Sequence, residues 1–161
     1  MTATDMAASA AAADTTESRT LRIVRTYDAP REAVFRAWTV PEQIASWWGP
    51  EGVNCPEYRF DVRPGGEWRT VMRNAEGGEH VACGQFREIT PPDRLIMTWA
   101  WETDGVRGHE TILTIDLRDV DGRTELTLTQ ALFESVESRD NHDGGWTSSL
   151  KKFDAYMATN A

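Results

Sequence analysis

Residues 138–159 read SRDNHDGGWTSSLKKFDAYMAT, and this stretch decides how the rest of the chain must fold. Trp146, Leu150, Phe153 and Met157 recur at spacings of four, three and four, so they share one stripe of an α-helix. Extended backward, the stripe meets His142 or Asp143 and then Arg139. One face of the helix is therefore apolar at its C-terminal end and polar at its N-terminal end. Gly144-Gly145 interrupts the middle, and each glycine costs about 1 kcal/mol relative to alanine in a helix interior. The pair reads as a helix start, a kink, or a point of close approach by a sheet or a ligand.

A long amphipathic helix needs an apolar surface to lie on, and the residues before it supply strands. In VNCPEYRFDVRPGGEWRTVMRN, Tyr58, Phe60 and Val62 alternate with Arg59, Asp61 and Arg63. Pro64-Gly65-Gly66 turns the chain, and Trp68, Thr70 and Met72 continue on one face. EHVACGQFREI is a further strand, closed by Thr90-Pro91-Pro92-Asp93. RLIMTWAW puts Leu95, Met97, Trp99 and Trp101 on one face. HETILTIDLRD turns Thr111, Leu113, Ile115 and Leu117 inward, and Asp121-Gly122 marks a hairpin into RTELTLTQAL, with Leu126 and Leu128 inward. The pattern is an antiparallel meander with one wet and one buried face.

Upstream, Thr20 to Tyr27 alternates as a first strand, and DAPREAVFRAW carries Val34, Ala37 and Trp38 at helical spacing. Thr39-Val40-Pro41-Glu42 has the form of a capping box, with Thr39 as N-cap, Glu42 three residues on and Pro41 inside the start. The second short helix then ends in ASWWGP, where Gly49 suits a C-cap and Pro50 forbids continuation. Ile44, Trp47 and Trp48 are expected to flank one face of it, mainly as packing residues.

Composition narrows the function. The 161 residues are 40% hydrophobic and 27% charged, with a net charge of −9, so a nucleic-acid backbone is not an expected partner. No apolar run reaches the length of a membrane span, so no membrane partner is expected. Cys55 and Cys83 are the only cysteines, and no secretory signal is seen, which reads as two free thiols in the cytoplasm. Residues 1–18 are Ala/Thr-rich and are expected to be a disordered tail before one domain over 19–161.

Four stretches in order, WTVPEQIASWWGP, FDVRPGGEWRTVM, GQFREITPPDRLIMTW and DNHDGGWTSSLKKF, resemble the bacterial homologues of the activator of heat-shock protein 90 ATPase, C-terminal-domain type. Those belong to the START-like, or SRPBCC, helix-grip superfamily. The resemblance covers about residues 20–158. It implies an α+β helix-grip fold: a curved antiparallel sheet of about six or seven strands gripping a long C-terminal helix, with two short helices after the first strand. It also implies a deep, mostly apolar cavity between sheet and helix. The eukaryotic activators stimulate the chaperone with an additional N-terminal domain, for which the residues before Arg19 are expected to be too few.

Three functions follow as expectations. The first is binding of a small apolar or aromatic ligand in that cavity, as a carrier or sensor. Trp47, Trp48, Trp68, Met72, Phe86, Met97, Trp99, Leu113, Trp146 and Leu150 are its candidate lining. The second is a cyclase- or hydrolase-like enzyme using His142, Arg139 or His109, of which His142 and Arg139 share a helical face. The third is a contact with the chaperone. No metal is expected, because no His or Cys pair has ligand spacing, and no cofactor is implied. Asp61, Arg63, Arg69 and Arg73 alternate with apolar neighbours and read as surface pairing residues. Cys83 reads as a buried structural thiol.

Overall fold

The computed structural model describes residues 15–160. The tail expected over 1–18 lies outside these for residues 1–14. Residues 15–18 form a turn, with the Thr15 amide donating to Ser18 Oγ at 2.7 Å and the Ser18 amide to Thr15 Oγ1 at 3.1 Å.

Strand β1 (Leu21–Tyr27) leads into two short helices, α1 (Arg31–Thr39) and α2 (Pro41–Trp47). Then come β2 (Asn54–Phe60), β3 (Glu67–Arg73), β4 (Glu79–Thr90), β5 (Arg94–Thr103), the two-residue β6 (Val106–Arg107), β7 (Thr111–Val120) and β8 (Arg123–Ala131). Helix α3 (Val136–Asn160) closes the chain. The strands form one antiparallel sheet in the order β1-β8-β7-β5-β4-β3-β2, with β6 paired to β5 alone. The first strand is therefore inserted beside the last, and the β1–α1–α2–β2 connection runs from one edge of the sheet to the other. This is the helix-grip architecture.

The sheet curves where its ladder is interrupted. In β4, Phe86 opposes Met97 but Glu88 opposes Ile96, so Arg87 is one extra residue and bends the strand. In β2, Asn54 opposes Arg73 and Glu57 opposes Val71, with Pro56, which has no amide to give, inside the irregularity. Gly84 allows a close crossing. A Cβ there would stand 1.9 Å from the Thr98 carbonyl oxygen and 2.6 Å from Trp68 Nε1, which donates to that same oxygen at 3.1 Å.

The helix stripe is laid on this surface as the spacing requires: Trp146, Leu150, Phe153 and Met157 are all buried. The C-terminal half of α3 is covered by aromatic rings. Tyr27 meets Phe153 edge-on at 5.0 Å between ring centroids, and Trp47 meets it at 4.8 Å. The β7–β8 hairpin turns at Asp121-Gly122, both with positive φ, as that dipeptide predicts.

Three local expectations are corrected. The capping box does not form: Val40 is the N-cap of α2, and Thr39 belongs to the end of α1, where its Oγ1 donates to the Phe35 carbonyl at 2.8 Å. Tyr58 is exposed, on the edge strand β2. Trp48 is not on the helix. It is the C-cap of α2 with extended backbone (φ −63°, ψ 133°), and Gly49 follows with φ +94°, a conformation glycine takes without strain. The Trp-Trp doublet thus divides at the helix end.

The surface pairs fall as read from the sequence: Arg63 bonds Asp61 at 2.8 Å, Arg69 bonds Glu102 at 2.8 Å and Arg73 bonds Glu79 at 2.5 Å. Cys55 and Cys83 are free and buried. They stand on β2 and β4 with β3 between, at least about 9–10 Å apart by strand spacing and offset along the strands besides, which is beyond disulfide reach.

Candidate functional site

The N-terminal half of α3 does not fill the space above the sheet, and its sequence says why. Ser138, His142, Gly145 and Ser149 follow one another at spacings of four, three and four, so, His142 apart, small side chains occupy the face beside the Trp146 stripe. A Cβ at Gly145 would meet nothing within 4 Å. The sheet opposite carries large rings. The result is a cavity of about 540 Å³, within the range that holds a drug-sized molecule.

Its walls come from three directions. Helix α3 contributes Glu137, Ser138, Asn141, His142, Gly145, Trp146 and Ser149, with Ser135 just before it. The segment after α2 contributes Trp48, Gly49, Pro50 and Val53. The sheet contributes Met72 from β3, His80 from β4, and Trp99 and Trp101 from β5. Four of the seven tryptophans therefore face one space.

Hydrogen bonds fix these rings. Trp48 Nε1 donates to Thr70 Oγ1 at 3.0 Å. Trp146 Nε1 donates to Gln130 Oε1 at 2.8 Å, and Gln130 Nε2 donates in turn to Thr111 Oγ1 at 2.8 Å. Thr111 Oγ1 donates to the Trp99 carbonyl at 3.2 Å. This fully buried chain fixes Trp146 to the sheet. Gln130 was not among the expected site residues. Its signal was there: it continues the inward register of Leu126 and Leu128, a polar residue on a core face. Trp38 and Trp99 bury indole N–H groups that have no partner among the described residues, so packing alone holds those rings.

The wall after α2 is fastened to the helix. Lys152 Nζ donates to the carbonyls of Val53 at 2.7 Å, Trp48 at 3.3 Å and Pro50 at 3.5 Å. The Glu51 amide donates to Ser148 Oγ at 2.8 Å. Burial lowers the Lys152 pKa from its ordinary value, opposed by Cys55 and Glu51 nearby. Burial also pushes the Cys55 thiol up to about 11, so it is not a reactive thiolate.

His142 stands at the mouth between helix and sheet. Its Nδ1 lies 2.8 Å from the Ser138 carbonyl, and its Nε2 lies 3.0 Å from Trp101 Nε1. An indole nitrogen only donates and a carbonyl only accepts, so the ring carries its proton on Nδ1 and is neutral. Burial lowers its pKa, against the Ser138 bond and Glu134, which raise it. Both nitrogens are committed, and Phe133 covers the ring at 4.7 Å.

Of the ten side chains expected to line the cavity, Trp48, Met72, Trp99 and Trp146 do so. Trp47, Trp68, Phe86, Met97, Leu113 and Leu150 are buried in the core instead. They lie on inward faces, and the core takes them. Trp47 donates to the Ala37 carbonyl at 3.0 Å and packs on Trp38 at 4.6 Å.

The three candidate catalysts separate. His142 reaches the cavity. Arg139 does not; it turns away and pairs with Asp140 at 2.5 Å. His109 lies on the surface, with Nε2 2.6 Å from the Leu132 carbonyl. No group of three or more His, Cys, Asp or Glu among the described residues could hold a metal ion. No helix among them is long and apolar enough to cross a membrane.

The family model for Activator of Hsp90 ATPase homolog 1-like protein matches residues 28–158. A comparison with curated proteins returns no match. Among solved structures, the AHSA1 protein of Silicibacter pomeroyi is 32% identical, with 88% of this chain and 99% of that one covered and a TM-score of 0.82. A protein of Chromobacterium violaceum is 30% identical, over 86% and 96%, with a TM-score of 0.78. One from Nitrosomonas europaea is 26% identical, over 90% and 97%, with a TM-score of 0.75. The chain belongs to the Activator of Hsp90 ATPase homolog 1-like family.

Proposed function

We propose that this protein binds a small apolar or aromatic molecule between α3 and the sheet, as a cytoplasmic carrier or sensor. One observation carries the reading: a cavity of about 540 Å³ walled by Trp48, Met72, Trp99, Trp101 and Trp146. Such rings bind by apolar burial, about 25 cal/mol per Å² before the costs of association. The binding role supports itself on rigidity too, since Gln130, Thr70 and Lys152 hold the walls before any ligand arrives. Two buried thiols without a bridge suit a reducing compartment.

Acid–base catalysis gains no support from the geometry. His142 is the one candidate at the cavity, and using either nitrogen means breaking a bond it already makes. The test is titration with fatty acids, sterols, flavonoids and polyketide-like aromatics, read by tryptophan fluorescence. Saturable binding that disappears in Gly145→Leu, which fills the space, is the expected result. Absence of binding by every class, or binding that Gly145→Leu leaves intact, overturns the reading.

A further inference from the structure

We propose that the molecule this cavity accepts is an organic cation, an ammonium-type charge on an apolar body. This rests on the cavity being a ligand site, and adds the ligand's charge.

The argument is from what lines the mouth. The ionised side chain on the cavity wall is Glu137. Glu134, three residues before Glu137, lies close enough to act electrostatically on His142. Among the described residues no Lys or Arg lines the space, and Arg139 nearby is bound to Asp140. His142 is uncharged, because one nitrogen accepts from Trp101 and the other donates to Ser138. An anionic ligand therefore finds no counter-charge.

The N-terminus of α3 also opens here, and a bare helix end would favour an anion. This one is not bare. Ser135 Oγ accepts the Ser138 amide at 3.0 Å, and Glu137 sits in the first turn. A full negative charge there outweighs the half positive charge of a helix end.

The rings favour the opposite sign. Trp99 stands 5.5 Å from Trp101, at 88°, and 5.4 Å from Trp146, and Trp48 stands 5.8 Å from Trp146, at 88°. Four indoles line this space, and indole π-electron density attracts a cation more strongly once it is desolvated. The net charge of −9 draws cations toward the protein from solution.

Three probes of one shape test this: a para-phenylbenzyl trimethylammonium ion, its neutral isostere with carbon in place of nitrogen, and the biphenylacetate anion. Each is titrated into the full chain by tryptophan fluorescence. The cation is expected to bind about tenfold tighter than the neutral isostere, with the anion weakest. Glu137→Gln and Trp101→Leu, both checked for native circular dichroism, should shrink that preference several-fold, read as the ratio of cation to neutral-probe affinity within each variant. If the neutral probe equals the cation, or the anion binds best, the cation assignment falls and the cavity remains a ligand site. If none of the three binds, both fall.

Discussion

The indole N–H of Trp101 donates to His142 Nε2 across 3.0 Å, and so joins the last long strand before the β7–β8 hairpin to the first turns of α3. The bond exists only while the imidazole is neutral. Trp101 is 39% exposed, so it stands at the cavity mouth and not beneath it.

That relationship predicts a pH dependence. Burial lowers the His142 pKa below 6.5 in the folded protein, so between that lowered value and 6.5 the unfolded chain binds more protons. The stabilising contribution of His142 is complete above 6.5 and is lost as pH falls through that window. Protonation also places two N–H donors face to face, which releases Trp101. The charged group acting on this ring is Glu134, which raises its pKa; Glu137 shares the cavity wall, and His80 lies beyond Trp101, 6.4 Å from that indole. Thermal melts from pH 7.5 down to 5, with tryptophan emission recorded alongside, should show falling stability and a red shift. Both should flatten in His142→Phe. A wild-type profile that the variant reproduces contradicts the assignment.

Lys152→Met keeps most of the aliphatic stem and removes the ammonium. Three carbonyls in the segment after α2 then lose their donor. A cost of about 1–3 kcal/mol is expected from the unsatisfied groups, read as a lower denaturation midpoint with unchanged slope. Ligand dissociation should quicken, because Trp48, Pro50 and Val53 wall the cavity. A variant as stable as the parent would mean that water replaces the ammonium without loss.

Gly144 and Gly145 separate stability from binding. Both lie inside α3, and a Cβ at either meets nothing within 4 Å. Gly144→Ala and Gly145→Ala should each stabilise by about 1 kcal/mol. Only Gly145 lines the cavity. So Gly145→Leu should abolish binding of bulky ligands, while Gly144→Leu, whose side chain points elsewhere, should not. Equal effects on binding would show that the helix backbone, not cavity space, controls affinity.

The fold was legible because its signals are periodic. The 4-3-4 stripe of α3 and the alternation of Leu95, Met97 and Trp99 each survive in the structure. What misled was the position of a residue along its element. Met97 and Trp99 lie on the same inward face of β5, yet only Trp99 reaches the cavity. Sequence periodicity identifies a face and carries no information on depth along it. Gly144-Gly145 was read as a start, a kink or a close approach. It is an uninterrupted part of the helix whose second glycine leaves room. The cap of α2 was misread for a different reason: Thr39 has a nearer acceptor in Phe35, one turn back in α1.

The pairing of β1 with β8 sets the order in which this chain can become complete. Leu21 opposes Gln130 and Tyr27 opposes Thr124, so the first strand made at the ribosome has no ladder until nearly all the others exist. Until then its apolar residues, Leu21, Ile23 and Tyr27, await a surface that is still being synthesised. Closure of such distant pairs favours folding on the millisecond-to-second scale over faster, locally driven collapse. Newly made chains would then spend that interval with an open sheet edge, and helix α3, emerging last, completes the cavity and the fold in one step.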